Sequence, residues 1–251
     1  MIYPGTSWLG HFSSAQLNLR GICIVVANVL CDFDGTVAVE DVTDGILSRF
    51  ASSEWQDIER AWRNGEIGSR ECMREQVALI RAEQSAIDSY LDTVAIDPYF
   101  PEFAAYCQAG DIGLFVVSDG IDYAIRRILA RHGLGYLPVS ANELHRIGAD
   151  RYRLTSPCSA EDCSASAGTC KCAIARTVER EGERAGITLL IGDGASDFCA
   201  AGTVDLVFAK DRLLAHCRAN GLAHVRFTDF KHARGLLAEM VSGPSLLEGT
   251  I

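Results

Sequence analysis

The run ICIVVANVLC, from Ile22 to Cys31, is apolar and rich in β-branched residues, and it stops on two carboxylates, Asp32 and Asp34, in the stretch CDFDGT. A run with no polar alternation is what a strand covered on both faces requires, and such strands belong to parallel sheets sandwiched between helices. Comparable runs follow at Ile112 to Val117 (IGLFVV), Ile187 to Ile191 (ITLLI) and Val204 to Phe208 (VDLVF), with VRF at 225–227 as a short last one. Helical patterns separate them: PEFAAYCQAG at 101–110, IDYAIRRILARHG at 121–133, CAIARTVEREGERAG at 172–186 and DRLLAHCRANG at 211–221. This alternation predicts an α/β fold, a doubly wound, Rossmann-like parallel sheet with right-handed crossovers.

Two stretches depart from the alternation. Residues 41–96 hold no convincing strand, but Ser53 with Gln56 and Ser85 with Asp88 have capping-box spacing, and ECMREQVALIRA has helical periodicity. We read 41–96 as a small helical cap inserted after the first strand, with the catalytic core at 21–40 and 97–251. In 139–170, VSANELHRIGADRYRLTSP suggests a hairpin and PCSAEDCSASAGTC an irregular loop. Residues 1–20 show no sustained period and read as an N-terminal arm or a start-site artefact.

Composition narrows the classes of function. A net charge of −10 argues against nucleic acid, whose backbone binding depends on Lys and Arg. The stretch Ile22 to Leu30 is about half the length that a membrane-spanning helix needs, and no basic signal-peptide segment precedes it. Ten Cys without a secretion signal suggest reduced thiols and a cytoplasmic protein.

In an open parallel sheet, ligands bind beyond the carboxyl ends of the strands, where strand order reverses. Four polar signals fall at such ends: CDFDGT, SDG at 118–120, GDGASD at 192–197, and Lys171 at the start of the helix leading into the third run. Asp32, Asp34, Asp193 and Asp197 would converge on one crevice, where like charges must protonate or bind a cation. All-oxygen ligands without His suit Mg²⁺. Lys171, the Ser118 hydroxyl and the backbone N–H groups in the turns at Gly35–Thr36 and Asp119–Gly120 would then hold a phosphoryl group. Alone, DFD is more often a turn or a cap, Ser118 a turn hydroxyl and Lys171 a solvated side chain; the ordered set reverses those odds.

DFDGT, SDG, Lys171 and GDGASD, in this order, resemble the haloacid dehalogenase superfamily of phosphohydrolases over about residues 22–230. The resemblance implies that Asp32 is a nucleophile forming an aspartyl-phosphate and that Asp34 is general acid and base with its backbone carbonyl on Mg²⁺. By the same resemblance, Asp193 completes the metal shell, Asp197 steadies it from the second shell, and Ser118 and Lys171 hold the phosphoryl oxygens. A helical insert between the first two motifs resembles the phosphoserine-phosphatase branch. The Cys-rich loop before Lys171 resembles two groups in it. These are the phosphatases of the methionine-salvage intermediate 2-hydroxy-3-keto-5-methylthiopentenyl-1-phosphate and those of phosphoethanolamine and phosphocholine. GDGASDFC is similar to the latter, FAKDRLLAHCRANGL and FTDF to the former. Phosphoserine is an alternative that Asp41 disfavours, since that branch has Glu there. The implied partner is a small phosphorylated metabolite, not nucleic acid or membrane, and the chain acts as a monomer or homodimer. A non-catalytic phosphate- or metal-sensing protein of the same fold is the reading from another class.

Glu40 and Asp41 are candidates for reading a substrate amine or hydroxyl. Cys158, Cys163, Cys170 and Cys172 have the spacing C-x4-C-x6-C-x-C, which matches no standard zinc module, so ordinary thiols in a loop stand beside a zinc site as alternatives. Trp55 and Trp62, seven apart, signal helix packing or a surface that stacks a quaternary ammonium.

Overall fold

A computed structural model describes residues 24–181 and 185–242, so the expected arm at 1–20 lies outside the described residues. Seven strands form the sheet: β1 (Val26–Cys31), β2 (Gly113–Ile121), β3 (Val139–Arg146), β4 (Tyr152–Thr155), β5 (Ile187–Gly192), β6 (Leu206–Ala209) and β7 (His224–Arg226). Their order is β4-β3-β2-β1-β5-β6-β7, and every pairing is parallel except the hairpin of β3 with β4. The chain moves outward from β1 through β2 to β4 on one side, then returns to β5 on the other. Strand order therefore reverses at β1, and the crevice that reversal opens lies at the end of β1 where Asp32 stands.

Alternate residues of the central strands enter two different apolar clusters. Val29, Cys31, Val116, Leu189 and Ile191 join one; Leu30, Val117, Leu190 and Val207 join the other. That is the period-two signature of a sheet covered on both faces, and it explains why the strand runs read as uninterrupted apolar sequence. The first face is covered by α5 (Phe100–Ala109), α6 (Asp122–Arg131) and α10 (Phe230–Ser242), the second by α7 (Lys171–Glu181), α8 (Phe198–Ala201) and α9 (Asp211–Ala219). Phe230 of α10 meets Phe100 edge-on with ring centroids 4.7 Å apart and Phe103 at 5.2 Å. Such pairs contribute about 0.5–1.5 kcal/mol beyond area burial, so α10, which the periodicity did not announce, is held by aromatic packing.

Between β1 and α5 the insert forms α1 (Val42–Phe50), α2 (Trp55–Arg63), α3 (Ser69–Ala78) and α4 (Gln84–Leu91). Its apolar residues Val42, Ile46, Leu47, Val77, Ile87 and Leu91 belong to the main cluster rather than to a core of their own. Neither expected capping box forms. Glu54 occupies the N-cap of α2 without a side-chain bond, while Ser52 bonds Glu54. Ser85 lies inside α4, which starts behind the extended Glu83. β2 also runs on through Ser118–Gly120, with a register shift between Val117 and Ile121, instead of ending before them.

Candidate active site

Asp32 follows β1 directly, and its N–H continues the ladder onto the Ile191 carbonyl at 2.9 Å. Lys171, the first residue of α7, is 1% exposed, and its ammonium donates to Asp32 Oδ1 at 2.7 Å, Asp197 Oδ1 at 2.6 Å and Ser196 Oγ at 3.2 Å. Asp197 is itself fixed, because its Oδ2 accepts from the N–H groups of Asp193 and Gly194, both at 3.2 Å. Asp193, just past β5, takes the Thr36 hydroxyl on Oδ1 at 2.5 Å. One oxygen from each of Asp32, Asp193 and Asp197 lies within 4.8 Å of the others.

The donor set matches the chemistry of a hard cation. Asp32 and Asp197 share the one buried ammonium and Asp193 adds a third carboxylate beside them, so a positive charge is missing. Burial first and Asp197 second push the Asp32 carboxyl well up against the pull of Lys171; Asp193 is also raised, again mainly by burial. Burial alone would discharge Lys171, but Asp197 and Asp32 outweigh it and hold the ammonium charged. A divalent ion with oxygen ligands, such as Mg²⁺, would relieve the crowding without thiol or imidazole donors.

Asp34 points elsewhere. Its Oδ1 accepts the Val42 N–H at 2.9 Å, and its Oδ2 fills the space a Cβ at Gly120 would need, so its carboxylate stands between the start of α1 and the Ser118 turn rather than in the acidic trio. Burial, then Asp41, raise its carboxyl to about 8. Ser118 is 1% exposed and accepts the Gly120 N–H at 2.9 Å. Asp119 ties this turn to its surroundings: Asn142 Nδ2 reaches its carbonyl at 2.6 Å, the Thr169 N–H its Oδ1 at 2.8 Å, and the Ser69 hydroxyl of α3 its Oδ2.

Gly35 makes the turn after Asp32 possible. Its φ is +70°, and a Cβ there would come 2.8 Å from Asp193 Oδ2. Gly35→Ala should therefore strain the turn and displace Asp193 together, at a cost of about 1–3 kcal/mol; thermal melts against wild type check this, and an unchanged Tm would contradict it.

Asp32, Asp34, Ser69, Ser118, Asp119 and Asp193 face one cavity of about 300 Å³. Its floor is Asp32, Asp34, Ser118, Asp119, Gly120 and Asp193; the insert supplies Asp41, Asp44, Glu59, Trp62, Arg63, Met73 and Gln76; Gly194 to Ser196 and Arg212 close a further side.

A family model for haloacid dehalogenase-like hydrolases matches residues 29–202. The chain belongs to this family. Curated relatives in it are named 2-hydroxy-3-keto-5-methylthiopentenyl-1-phosphate phosphatase. The Bacillus pumilus protein is 31% identical over 80% of this chain and 87% of its own length, and the Lysinibacillus sphaericus protein 27% identical over 85% and 94%. Among solved structures, an aspartyl-phosphate-analogue complex of phosphoserine phosphatase superposes with a TM-score of 0.64 at 20% identity, covering 84% of this chain and 98% of that one, which establishes the shared fold. This haloacid dehalogenase-like chain is thus an enzyme of the phosphatase type, as its four motifs indicated.

Of the residues singled out from the sequence of this hydrolase, Asp32, Asp34, Ser118 and Asp193 line the cavity, while Lys171 and Asp197 stand outside the lining and join it through the Lys171 ammonium on Asp32. Asp41 lines the cavity and caps α1 by accepting from the Asp44 N–H at 2.8 Å, whereas Glu40 is exposed and stands outside the lining. Trp62 lines the cavity and Trp55 packs on the main cluster. The nine described cysteines are free thiols. Cys170 and Cys172 bring their sulfurs to 3.2 Å, with Cys163 beside Cys170 and Cys199 beside Cys172, but among the described residues no three of these sulfurs lie all within 4.8 Å of one another. Thr36, Asn142 and Arg212 went unmarked in the sequence. Thr36 stood inside the DFDGT motif, but a lone Asn and an Arg at a helix start carry no local signal of the loops they meet.

Proposed function

We propose that this protein hydrolyses a small phosphomonoester with Mg²⁺, through an aspartyl-phosphate on Asp32. The observation that carries the proposal is the meeting of Asp32, Asp193 and Asp197, the first and last of them on the buried Lys171 ammonium, with Asp32, Asp193 and Ser118 lining the cavity. Asp32 Oδ1 already accepts from Lys171 and from the Phe33 N–H at 2.8 Å, which leaves Oδ2 to attack phosphorus as the bond to the leaving oxygen breaks. Asp34, raised to about 8, holds a proton at neutral pH and gives it to that leaving oxygen. It then takes a proton from the water whose oxygen displaces Asp32 and releases inorganic phosphate. Ser118, Gly120 and Lys171 are the donors toward the phosphoryl oxygens. Asp32 and Asp193, with the Asp34 backbone carbonyl, would hold Mg²⁺, with Asp197 behind them; when bound, the ion supplies positive charge for the phosphoryl group.

The size of the cavity and the helices of 41–96, acting as a cap, suit a metabolite better than a phosphoprotein. The names of the curated relatives favour 2-hydroxy-3-keto-5-methylthiopentenyl-1-phosphate, and Trp62 with Met73 offers an apolar wall for such a leaving group. The acidic lining of Asp41, Asp44 and Glu59 supports a second reading, phosphocholine or phosphoethanolamine, whose cation would sit among carboxylates beside Trp62. The free thiols agree with a reducing, cytoplasmic setting.

A panel with both kinds of substrate, phosphoserine, pyridoxal phosphate and p-nitrophenyl phosphate tests the proposal. We expect turnover that EDTA stops and Mg²⁺ restores; no turnover of any member with excess Mg²⁺ would reject it.

A further inference from the structure

We propose that Arg212 is the cation that receives the phosphate dianion at the mouth of the cavity, and that it governs substrate capture rather than the chemical step. The inference rests on the phosphatase reading above. It starts from the distribution of charge around the cavity. The whole chain carries −10, and Asp41, Asp44 and Glu59 line the insert side. Lys171 is buried, shared between Asp32 and Asp197 and outside the lining, so it adds no net positive charge at the mouth. Two arginines line the cavity. Arg63 is engaged by Glu59, Nε to Oε1 at 2.8 Å, whereas Arg212 makes no hydrogen bond or ion pair among the described residues.

The backbone holds Arg212 where a capture residue is needed. It is the second residue of α9, and its neighbours on both sides are fastened to the loop that carries Asp193. The Lys210 N–H donates to the Gly192 carbonyl at 3.2 Å, and the Leu213 N–H to the Asp193 carbonyl at 2.8 Å. Asp211, immediately before it, is in the left-handed region at φ +46°, a conformation costly for a residue with a Cβ. Arg212 is exposed, so an incoming ligand reaches its guanidinium before the buried floor. A planar cation of this kind suits phosphate oxygens, and a charge at the mouth acts on encounter, where salt screens it.

The test compares Arg212→Ala, Arg212→Lys and, as a control, Arg218→Ala on the exposed side of α9. Steady-state kinetics with p-nitrophenyl phosphate and inhibition by inorganic phosphate are measured in saturating Mg²⁺ at low and moderate salt. Arg212→Ala should raise KM and the phosphate inhibition constant together by about tenfold at low salt, change kcat less than about threefold, and flatten the salt dependence. Arg212→Lys should recover most of the loss, and Arg218→Ala should match wild type. The inference is overturned if Arg212→Ala leaves both constants within about twofold, if the loss falls on kcat alone, or if Arg218→Ala gives the same rise. Inactive wild type would reject the phosphatase reading instead, and calorimetric titration with inorganic phosphate would then still report whether Arg212 captures the anion.

Discussion

Asp32→Asn should lower kcat for p-nitrophenyl phosphate by at least about 10⁴-fold while leaving the protein folded. The amide has the same shape but is a very poor nucleophile toward phosphorus, and loss of a covalent nucleophile is of that order in enzymes that depend on one. The accompanying stability change separates this from simple disruption. Asp32 shares the Lys171 ammonium with Asp197 and lies beside Asp193, and burial with Asp197 already disfavours its charge. Removing that charge leaves Lys171 still paired with Asp197 at 2.6 Å, so the melting temperature should stay level or rise. Inorganic phosphate should still bind, because Ser118 and the Gly120 turn are untouched. Turnover close to wild type would remove Asp32 from the mechanism; a large fall in melting temperature would mean that its charge is structural.

The polar ends of the strands were legible because their cause is local. A strand buried on both faces can hold an occasional neutral polar residue such as Asn28 or Thr188 but not a charged one, so the places where Ile22–Cys31 and Ile187–Ile191 give way to Asp32 and Asp193 mark the edge where the site lies. Once β1 is central, the meeting of the motifs follows from topology. Side-chain direction was less accessible. Asp32 and Asp34 are two apart and look alike in sequence, but Gly35 at φ +70° turns the chain and Val42 N–H captures Asp34, which leaves one carboxylate in the acidic trio and the other by the Ser118 turn. The insert was legible only as helices. Which of Trp55 and Trp62 would reach the cavity, and whether Arg63 would be neutralised by Glu59, depend on how α2 packs, and that helix buries no residue fully. Arg212 was invisible for a similar reason: its importance comes from two backbone bonds to a loop distant in sequence.

Lys171→Met should be the most destabilising single change at this site. Methionine keeps most of the length and apolar volume of the side chain, so packing is largely preserved and the charge is the variable. Asp32 at 4% exposure and Asp197 at 0% would lose the ammonium that contacts both, and Asp197 has no route to solvent. Stranding a buried charge in this way costs about 3–5 kcal/mol, or a fall of about 10 °C in melting temperature for a chain of this size. If the cost is electrostatic, neutralising the abandoned partner should return part of it, so Lys171→Met with Asp197→Asn should melt above Lys171→Met alone. Added Mg²⁺ should also raise the melting temperature of Lys171→Met, because the trio then has a second source of positive charge. Hydrolysis should remain lost in both variants, since neither restores the donor toward the phosphoryl oxygens. A Lys171→Met protein as stable as wild type would show that Asp32 and Asp197 share a proton in place of the ammonium, and the site would then have to be rebuilt around a neutral pair.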